Sequence, residues 1–308
     1  MKVFVAGATG AIGKQLVPRL VGAGHDVVGM TRKKAGGTLL SELGATPVIA
    51  DALEPDQVAE AVARANPEVI VHQLTAIGAL DMRHFDRDFA LTNRLRIEGT
   101  DHLLSAARAV GVRRFIAQSY FAGYERAGGH IKTETHPLDP APVHAMRETM
   151  NAIRHLEEAV LSADWTEAIV LRYGAFYGPD TSLCAGGDQF ELVRKRKFPV
   201  VGSGAGMWSF VHVADAAEAT VAAIDRGQPG VYNIVDDDPA PVAEWLPALA
   251  QTLGAKKPRR VPLFIGRRFA GEAAAVMMTE VRGASNIKAK RELGWRPGYP
   301  SWRQGFAT

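Results

Sequence analysis

Short, densely apolar runs alternate along this chain with longer stretches in which apolar positions recur every three or four residues. The runs Val3–Ala6, Asp26–Met30, Thr46–Ala50, Val69–His72, Arg114–Gln118 and Glu167–Arg172 are four to six residues long, and several carry no polar interruption. Runs of that kind predict strands covered on both faces, as in a parallel sheet. The stretches Ile12–Gly22, Pro55–Ala65, Arg83–Val110 and Met146–Leu161 predict amphipathic helices between them. Strand–helix alternation of this order predicts βαβ units and an α/β fold built on a doubly wound parallel sheet. After Tyr173 the rhythm breaks. Glycine and proline become frequent, as in Tyr177-Gly178-Pro179, Gly186-Gly187 and Gly202-Ser203-Gly204. One further helix (Val213–Asp225) and strand (Gly230–Val235) return to the sheet. The expected division is a first domain over 1–178, rejoined by 209–235. Residues 179–208 and 236–308 then form a smaller lobe over the sheet's C-terminal edge.

The glycines at the chain start give this fold a chemistry. Gly7-Ala8-Thr9-Gly10-Ala11-Ile12-Gly13 follows the first predicted strand and opens the first predicted helix. Gly7 suits a tight turn, Gly10 a close backbone approach to a pyrophosphate, and Gly13 tight helix–strand packing. The helix N-terminus adds free N–H groups and a partial positive charge. A dinucleotide is the expected ligand. The second strand runs into Thr31-Arg32-Lys33-Lys34, where a ribose 2′-hydroxyl would call for an acidic residue. Thr31 stands there instead, and Arg32 and Lys33 suit a 2′-phosphate. The expected cofactor is therefore NADP(H) in preference to NAD(H).

Composition narrows the class without changing it. The chain has 308 residues, of which 47% are hydrophobic and 22% charged, which excludes a disordered protein. The single cysteine, Cys184, excludes a disulfide framework, and no histidine spacing suggests a metal. Lys and Arg number 36 against 33 for Asp and Glu, too small an excess to imply nucleic acid. The Arg194-Lys195-Arg196-Lys197 run is expected at a solvated helix end. No apolar run reaches membrane-spanning length, and nothing resembles a signal peptide, so a cytoplasmic protein is expected.

The ordered motifs resemble the extended short-chain dehydrogenase/reductases of the NAD-dependent epimerase/dehydratase family, which share the Rossmann fold. They are the glycine loop, Asp51-Ala52, His72-Gln73-Leu74-Thr75-Ala76, Asn93 with Gly99-Thr100, Arg172 with Tyr177-Gly178-Pro179, Ser209-Phe210-Val211-His212-Val213 with Asp215, and Asn286 to Lys290 with Leu293-Gly294-Trp295. The resemblance implies that Asp51 and Ala52 meet adenine and that Leu74 and Thr75 line the ribose and pyrophosphate path. Tyr173, Gly174 and Phe176 would pass beside the nicotinamide.

The family's usual acid/base pair is a tyrosine with a lysine four residues on. Tyr120, Tyr124, Tyr173, Tyr177, Tyr232 and Tyr299 are followed at that distance by Tyr124, Gly128, Tyr177, Thr181, Asp236 and Arg303. No pair exists. Counting back from the glutamates at 157–158 puts Met150 at the tyrosine position and Arg154 at the lysine position. Counting back from Tyr124, the family's Ser/Thr position falls on Tyr120, with Ser119 one residue away; both are candidate catalytic residues, and Tyr120 also reads as an aromatic wall of the pocket. The expected activity is an atypical ketoreductase acting on a small-molecule carbonyl, with a looser similarity to ketoreductases that tailor aromatic polyketides. A cofactor-binding redox sensor of the NmrA-like kind and a sugar-nucleotide epimerase or dehydratase stand as rivals. A homodimer through the long helices would fit the family.

Overall fold

In the computed structural model, which describes residues 1–78 and 81–306, seven strands form one parallel sheet. They are β1 (Lys2–Ala6), β2 (Asp26–Thr31), β3 (Thr46–Ile49), β4 (Val69–His72), β5 (Arg114–Tyr120), β6 (Glu167–Tyr173) and β7 (Gly230–Ile234). Their spatial order is 7-6-5-4-1-2-3. The order reverses between β1 and β4, whose registers pair Val3 with Val27 on one side and with Val69 on the other. A ligand crevice opens at the carboxyl ends of strands at such a switch point.

Strand periodicity divides the core into two layers. Val3 and Val5 point to one face, where they pack with Leu16 and Leu20 of α1 (Ala11–Gly22) and with Ala216 and Ala223 of the helix Val213–Asp225. Phe4 and Ala6 point to the other, against Val58 and Val62 of α3 (Pro55–Ala65) and Leu103 of the helix Thr100–Val110. The edge strand β3 carries Pro47, which blunts an edge that could otherwise template pairing. Residues from 179–208 and 236–306 gather around Trp245, Trp208, Phe210 and Trp302 in a third apolar cluster, which also takes in Phe121 and Met150. The basic run lies at the end of the helix Asp188–Arg194, with all four side chains exposed.

Two elements depart from the sequence pattern. A helix, α2 (Lys34–Glu42), follows β2 despite Gly36-Gly37. Those glycines cost helix propensity but allow close packing: a Cβ on Gly36 would lie 2.3 Å from Thr31 Oγ1. The long helix expected over 83–110 is broken. It comprises α4 (Phe85–Asp88), α5 (Ala90–Arg94), one π turn (Leu95–Gly99) and α6 (Thr100–Val110).

Helix α7 (Arg147–Leu161) is locked to the sheet by charge. Glu157, 4% exposed, takes two bonds from Arg172 of β6, Nε to Oε1 at 2.8 Å and Nη2 to Oε2 at 2.5 Å. Ser119 of β5 donates a third at 2.6 Å. The Arg172 guanidinium also stacks on the Tyr124 ring, 4.7 Å from its centroid. Replacing Glu157 with Gln leaves Arg172 buried without its counter-charge, and chemical denaturation should show a loss of about 3–5 kcal/mol. Ser119→Ala should cost about 1 kcal/mol by the same measurement.

Candidate active site

The crevice begins at the β1–α1 loop. Gly7 has φ +89°, and a Cβ there would lie 2.5 Å from the Gln73 carbonyl oxygen; at Gly13 it would lie 2.3 Å from that of Ala8. No side chain fits at either point, so loop, helix and the end of β4 meet backbone to backbone. Gly10 is different. It is exposed, and a Cβ would touch only the Gly7 carbonyl oxygen at 3.4 Å. The loop therefore keeps an open concavity at the start of α1, with Thr9 and Ala11 partly exposed on its rim and Ile12 buried beneath it. No acidic residue occupies the first turn of α1, and no side chain caps it. Free N–H groups facing an unfilled cradle suit an anion such as pyrophosphate.

At the end of β2, Thr31 is 8% exposed and hemmed in by Gly36. Arg32, Lys33 and Lys34 are exposed, and among the described residues none of the three has an ion-pair partner. After β3, the Asp51 carboxylate accepts from Leu53 N–H at 3.0 Å, which shapes the turn before α3 and leaves its second oxygen free of such bonds. Ala52 is buried.

After β4, the Leu74 N–H donates to His72 Nδ1 at 3.2 Å, so the ring's proton sits on Nε2, facing Thr100 Oγ1 at 3.0 Å. Burial, helped by the nearby Arg96 charge, pushes the His72 pKa down to about 3. His72 is a neutral, fully buried link, and Leu74 and Thr75 beyond it face outward. Tyr173 is not on the cofactor path. It is 1% exposed, and its hydroxyl lies 3.0 Å from Gln73 Nε2 and 2.6 Å from Thr220 Oγ1, within the core. Its ring backs Phe176, which is the partly exposed aromatic of that segment. Gly174 is buried against the Phe210 backbone.

Around the expected acid/base point the structure keeps Met150 inward and departs from the sequence reading at Arg154. Glu157, not Glu158, turns inward, so the face of α7 aimed at the sheet carries Thr149, Met150 and Ile153. Arg154 points away: it bonds Asn151 Oδ1 at 2.7 Å and the Asp139 carbonyl oxygen. It cannot take the role of a lysine at the nicotinamide ribose. Thr149 occupies the inward position with its hydroxyl committed, donating to Asp86 at 2.7 Å and accepting from Asn93 at 3.0 Å. Met150 packs on Gly123. Ser119 is likewise not a free catalytic hydroxyl, because it is spent on Glu157.

Tyr120 is the exception. It ends β5, is partly exposed, packs edge-on against Phe121 at 5.1 Å, and its hydroxyl makes no hydrogen bond to any described residue. Burial raises its pKa, against the pull of the Arg96 charge. Arg96 itself was missed in the sequence. Placed between Arg94 and Glu98, it reads as one more solvated helix charge, yet it is 6% exposed. Among the described residues no group of three or more His, Cys, Asp or Glu side chains is arranged to hold a metal, and no helix is long and apolar enough to cross a membrane.

A doubly wound sheet with an anion cradle at its switch point and a lobe across its carboxyl edge defines a dinucleotide-dependent oxidoreductase of the extended short-chain type. Residues 3–235 match the model of the NAD dependent epimerase/dehydratase family, and the chain belongs to that family. It is 43% identical, over 99% of both chains, to a Streptomyces protein named 3-diazoavenalumate denitrifying reductase. It is 27% identical to a Stigmatella aurantiaca quinoline-oxide ketoreductase, over 83% of this chain and 74% of the other. Among solved structures, UDP-glucose 4-epimerase from Thermotoga maritima superposes with a TM-score of 0.79 at 21% identity, covering 100% of this chain and 96% of that one. A human epimerase family protein solved with NADPH gives 0.77 at 20%, covering 100% and 98%. Both share the fold.

The glycines separate cradle from scaffold. Gly10→Val should fold with a melting temperature close to wild type and weaken dinucleotide binding at least about tenfold, because its side chain fills the concavity. Gly13→Ala should instead destabilise the protein by about 1–3 kcal/mol. Thermal melts with and without dinucleotide check both.

Proposed function

We propose that this oxidoreductase uses NADPH to replace a diazo group on an aromatic small molecule with hydrogen, releasing dinitrogen. The observation that carries this reading is what α7 offers the crevice: a tied-up Thr149 and an apolar Met150, with no tyrosine or lysine along the helix. Carbonyl reduction needs a proton at oxygen as well as a hydride at carbon. Diazo replacement does not. In the exchange aryl–N₂⁺ + H⁻ → aryl–H + N₂, the new C–H bond takes the hydride's electron pair, and the C–N pair leaves with dinitrogen. A crevice without a poised acid is matched to that balance. The Streptomyces relative, whose name joins a diazo substrate to loss of nitrogen, supports the same chemical class.

A bound nicotinamide dinucleotide supplies the hydride. Gly7, Gly10 and Gly13 shape the cradle for its pyrophosphate, and Thr9, Ala11 and the N-terminus of α1 face it. Asp51 and Ala52 lie toward adenine, and Leu74 and Thr75 line the path. Gly174 and Phe176 flank the nicotinamide end. Arg32 and Lys33, exposed and without ion-pair partners, favour NADPH. The third apolar cluster, which takes in Phe121 and Met150, supplies an apolar surround for the substrate.

Tyr120 favours a second reading, the ketoreductase. Its hydroxyl is uncommitted at the end of β5, where it can polarise a carbonyl, and the Stigmatella relative is named for such a reaction. One variant separates the two. Under the diazo reading, wild type and Tyr120→Phe should consume NADPH with an aryldiazonium salt at kcat values within about twofold, releasing one dinitrogen per NADPH. Under the ketoreductase reading, aryl ketones are turned over, and Tyr120→Phe lowers kcat by about 10²–10³. Ketone reduction with an inert aryldiazonium would overturn the first.

Arg32→Ala should weaken NADPH binding at least about tenfold and leave NADH binding unchanged, as measured by fluorescence titration. Equal affinities of the wild type for the two cofactors would remove the NADPH assignment.

A further inference from the structure

Three arginines of this protein are nearly fully buried, and two of them are paired. Arg114 meets Glu167 at 2.7 Å, and Arg172 meets Glu157. The third, Arg96, has no carboxylate partner among the described residues. Its one hydrogen bond runs from Nη1 to Asn93 Oδ1 at 3.3 Å, a long contact, and its guanidinium lies 5.8 Å from the Phe89 ring centroid. Nε and Nη2 make no hydrogen bond to any described residue, yet neither is among the sealed, unsatisfied atoms of the interior, so both keep contact with open space. An uncompensated buried cation is costly, which is why buried charges are normally paired.

Its position gives the cost a purpose. Arg96 sits on the π turn between α5 and α6, and π turns recur at functional sites. Its charge bears on His72 at the end of β4 and on Tyr120 at the end of β5, the two strands that border the substrate side of the crevice. The neighbouring groups cannot neutralise it: His72 is neutral, Asn93 is an amide and Tyr120 is a phenol held protonated by burial. Burial lowers the Arg96 pKa only to about 10, so it stays charged at neutral pH.

We infer that Arg96 is the residue by which the crevice recognises an anionic oxygen of its substrate, a carboxylate or a phenolate. Its free Nε and Nη2 edge is the fork that binds a carboxylate through two parallel hydrogen bonds. Tyr120, beside it, then faces the ring that carries the anion. The inference rests on the aromatic-substrate reading above and deepens it by naming the group that orients the substrate.

The test needs no turnover. Protein saturated with NADP⁺ is titrated by calorimetry with 4-hydroxycinnamate, with its methyl ester, which lacks the carboxylate, and with 4-methoxycinnamate, which lacks the phenol. Wild type should bind 4-hydroxycinnamate at least tenfold more tightly than one of the other two, and the weakened arm identifies which oxygen Arg96 holds. Arg96→Met should erase that difference, Arg96→Lys should keep part of it, and NADP⁺ affinity should not change in either. Because the lost charge was uncompensated, the melting temperature of Arg96→Met should equal or exceed that of wild type. The inference is overturned if wild type binds none of the three or binds all equally, if the preference survives in Arg96→Met, or if that variant merely melts lower or loses NADP⁺. A protein that shows the Arg96-dependent preference but releases no dinitrogen from aryldiazonium salts would overturn the proposed reaction and leave this inference standing.

Discussion

The buried pair between Glu157 and Arg172 fixes what this crevice contains. Two charges removed from water cost several kcal/mol each, and only a well-formed, fully bonded pair recovers that cost. The bidentate contact, the third bond from Ser119 and the stack on Tyr124 go far toward that condition, although Nη1 of Arg172 is buried without a hydrogen bond to any described residue. They also tie α7 to β5 and β6. With Glu157 inward, Thr149 and Met150 are buried with it, while Arg154 at the margin of that face is drawn aside by Asn151 and the Asp139 carbonyl oxygen. The helix that the family resemblance would have carry an acid/base pair here carries the buried Glu157 and an apolar wall.

A second constraint acts on the opposite wall. The π turn at Leu95–Gly99 adds a residue to one helical turn and shifts the phase of everything before it. Thr92, Asn93, Leu95 and Arg96 all face inward, together with Gly99 and Thr100. Asn93 then bridges Thr149 of α7 and Arg96, so the two walls share one polar contact. That bridge holds the Thr149 hydroxyl and leaves the Arg96 fork open. The substrate end of the crevice thus holds, among the described residues, one unpaired buried cation and a committed Thr149 hydroxyl.

The two ends of the crevice are built on different physics. The dinucleotide end is backbone work: close approaches at Gly7 and Gly13, an open cradle at Gly10 and a helix N-terminus, with exposed cations at 32–34. The substrate end depends on side chains whose neighbours come from distant parts of the chain. Met150 touches Gly123, the Arg96 charge bears on Tyr120, and Met150 belongs to, and Tyr120 packs against, the cluster that includes Trp208, Val276 and Met277. The first kind of site follows from local sequence; the second exists only once the whole chain has folded.

The sequence by itself therefore determined the strand–helix alternation, the parallel sheet, the phosphate loop and the absence of a Tyr/Lys pair. Each rests on periodicity, on the backbone needs of glycine or on simple counting, which are local quantities. It did not determine the phase of α7. Glu157 and Glu158 are adjacent and chemically alike, and only the location of Arg172 on β6 decides which of them is buried. Nor did it reveal α2, whose glycines argue against a helix until Thr31 is seen packed beneath Gly36. Tyr173 and Ser119 read as site residues because they border the right strand ends, but distant partners, Thr220 and Glu157, draw them into the interior. Arg96 is the sharpest case. Arg94 and Arg96 look equivalent in composition, but two residues apart on a helix they point to opposite sides, and only the packing of the assembled chain decides which of them is buried. Burial without a counter-charge is a property of the assembled molecule, because it depends on every group that is not there.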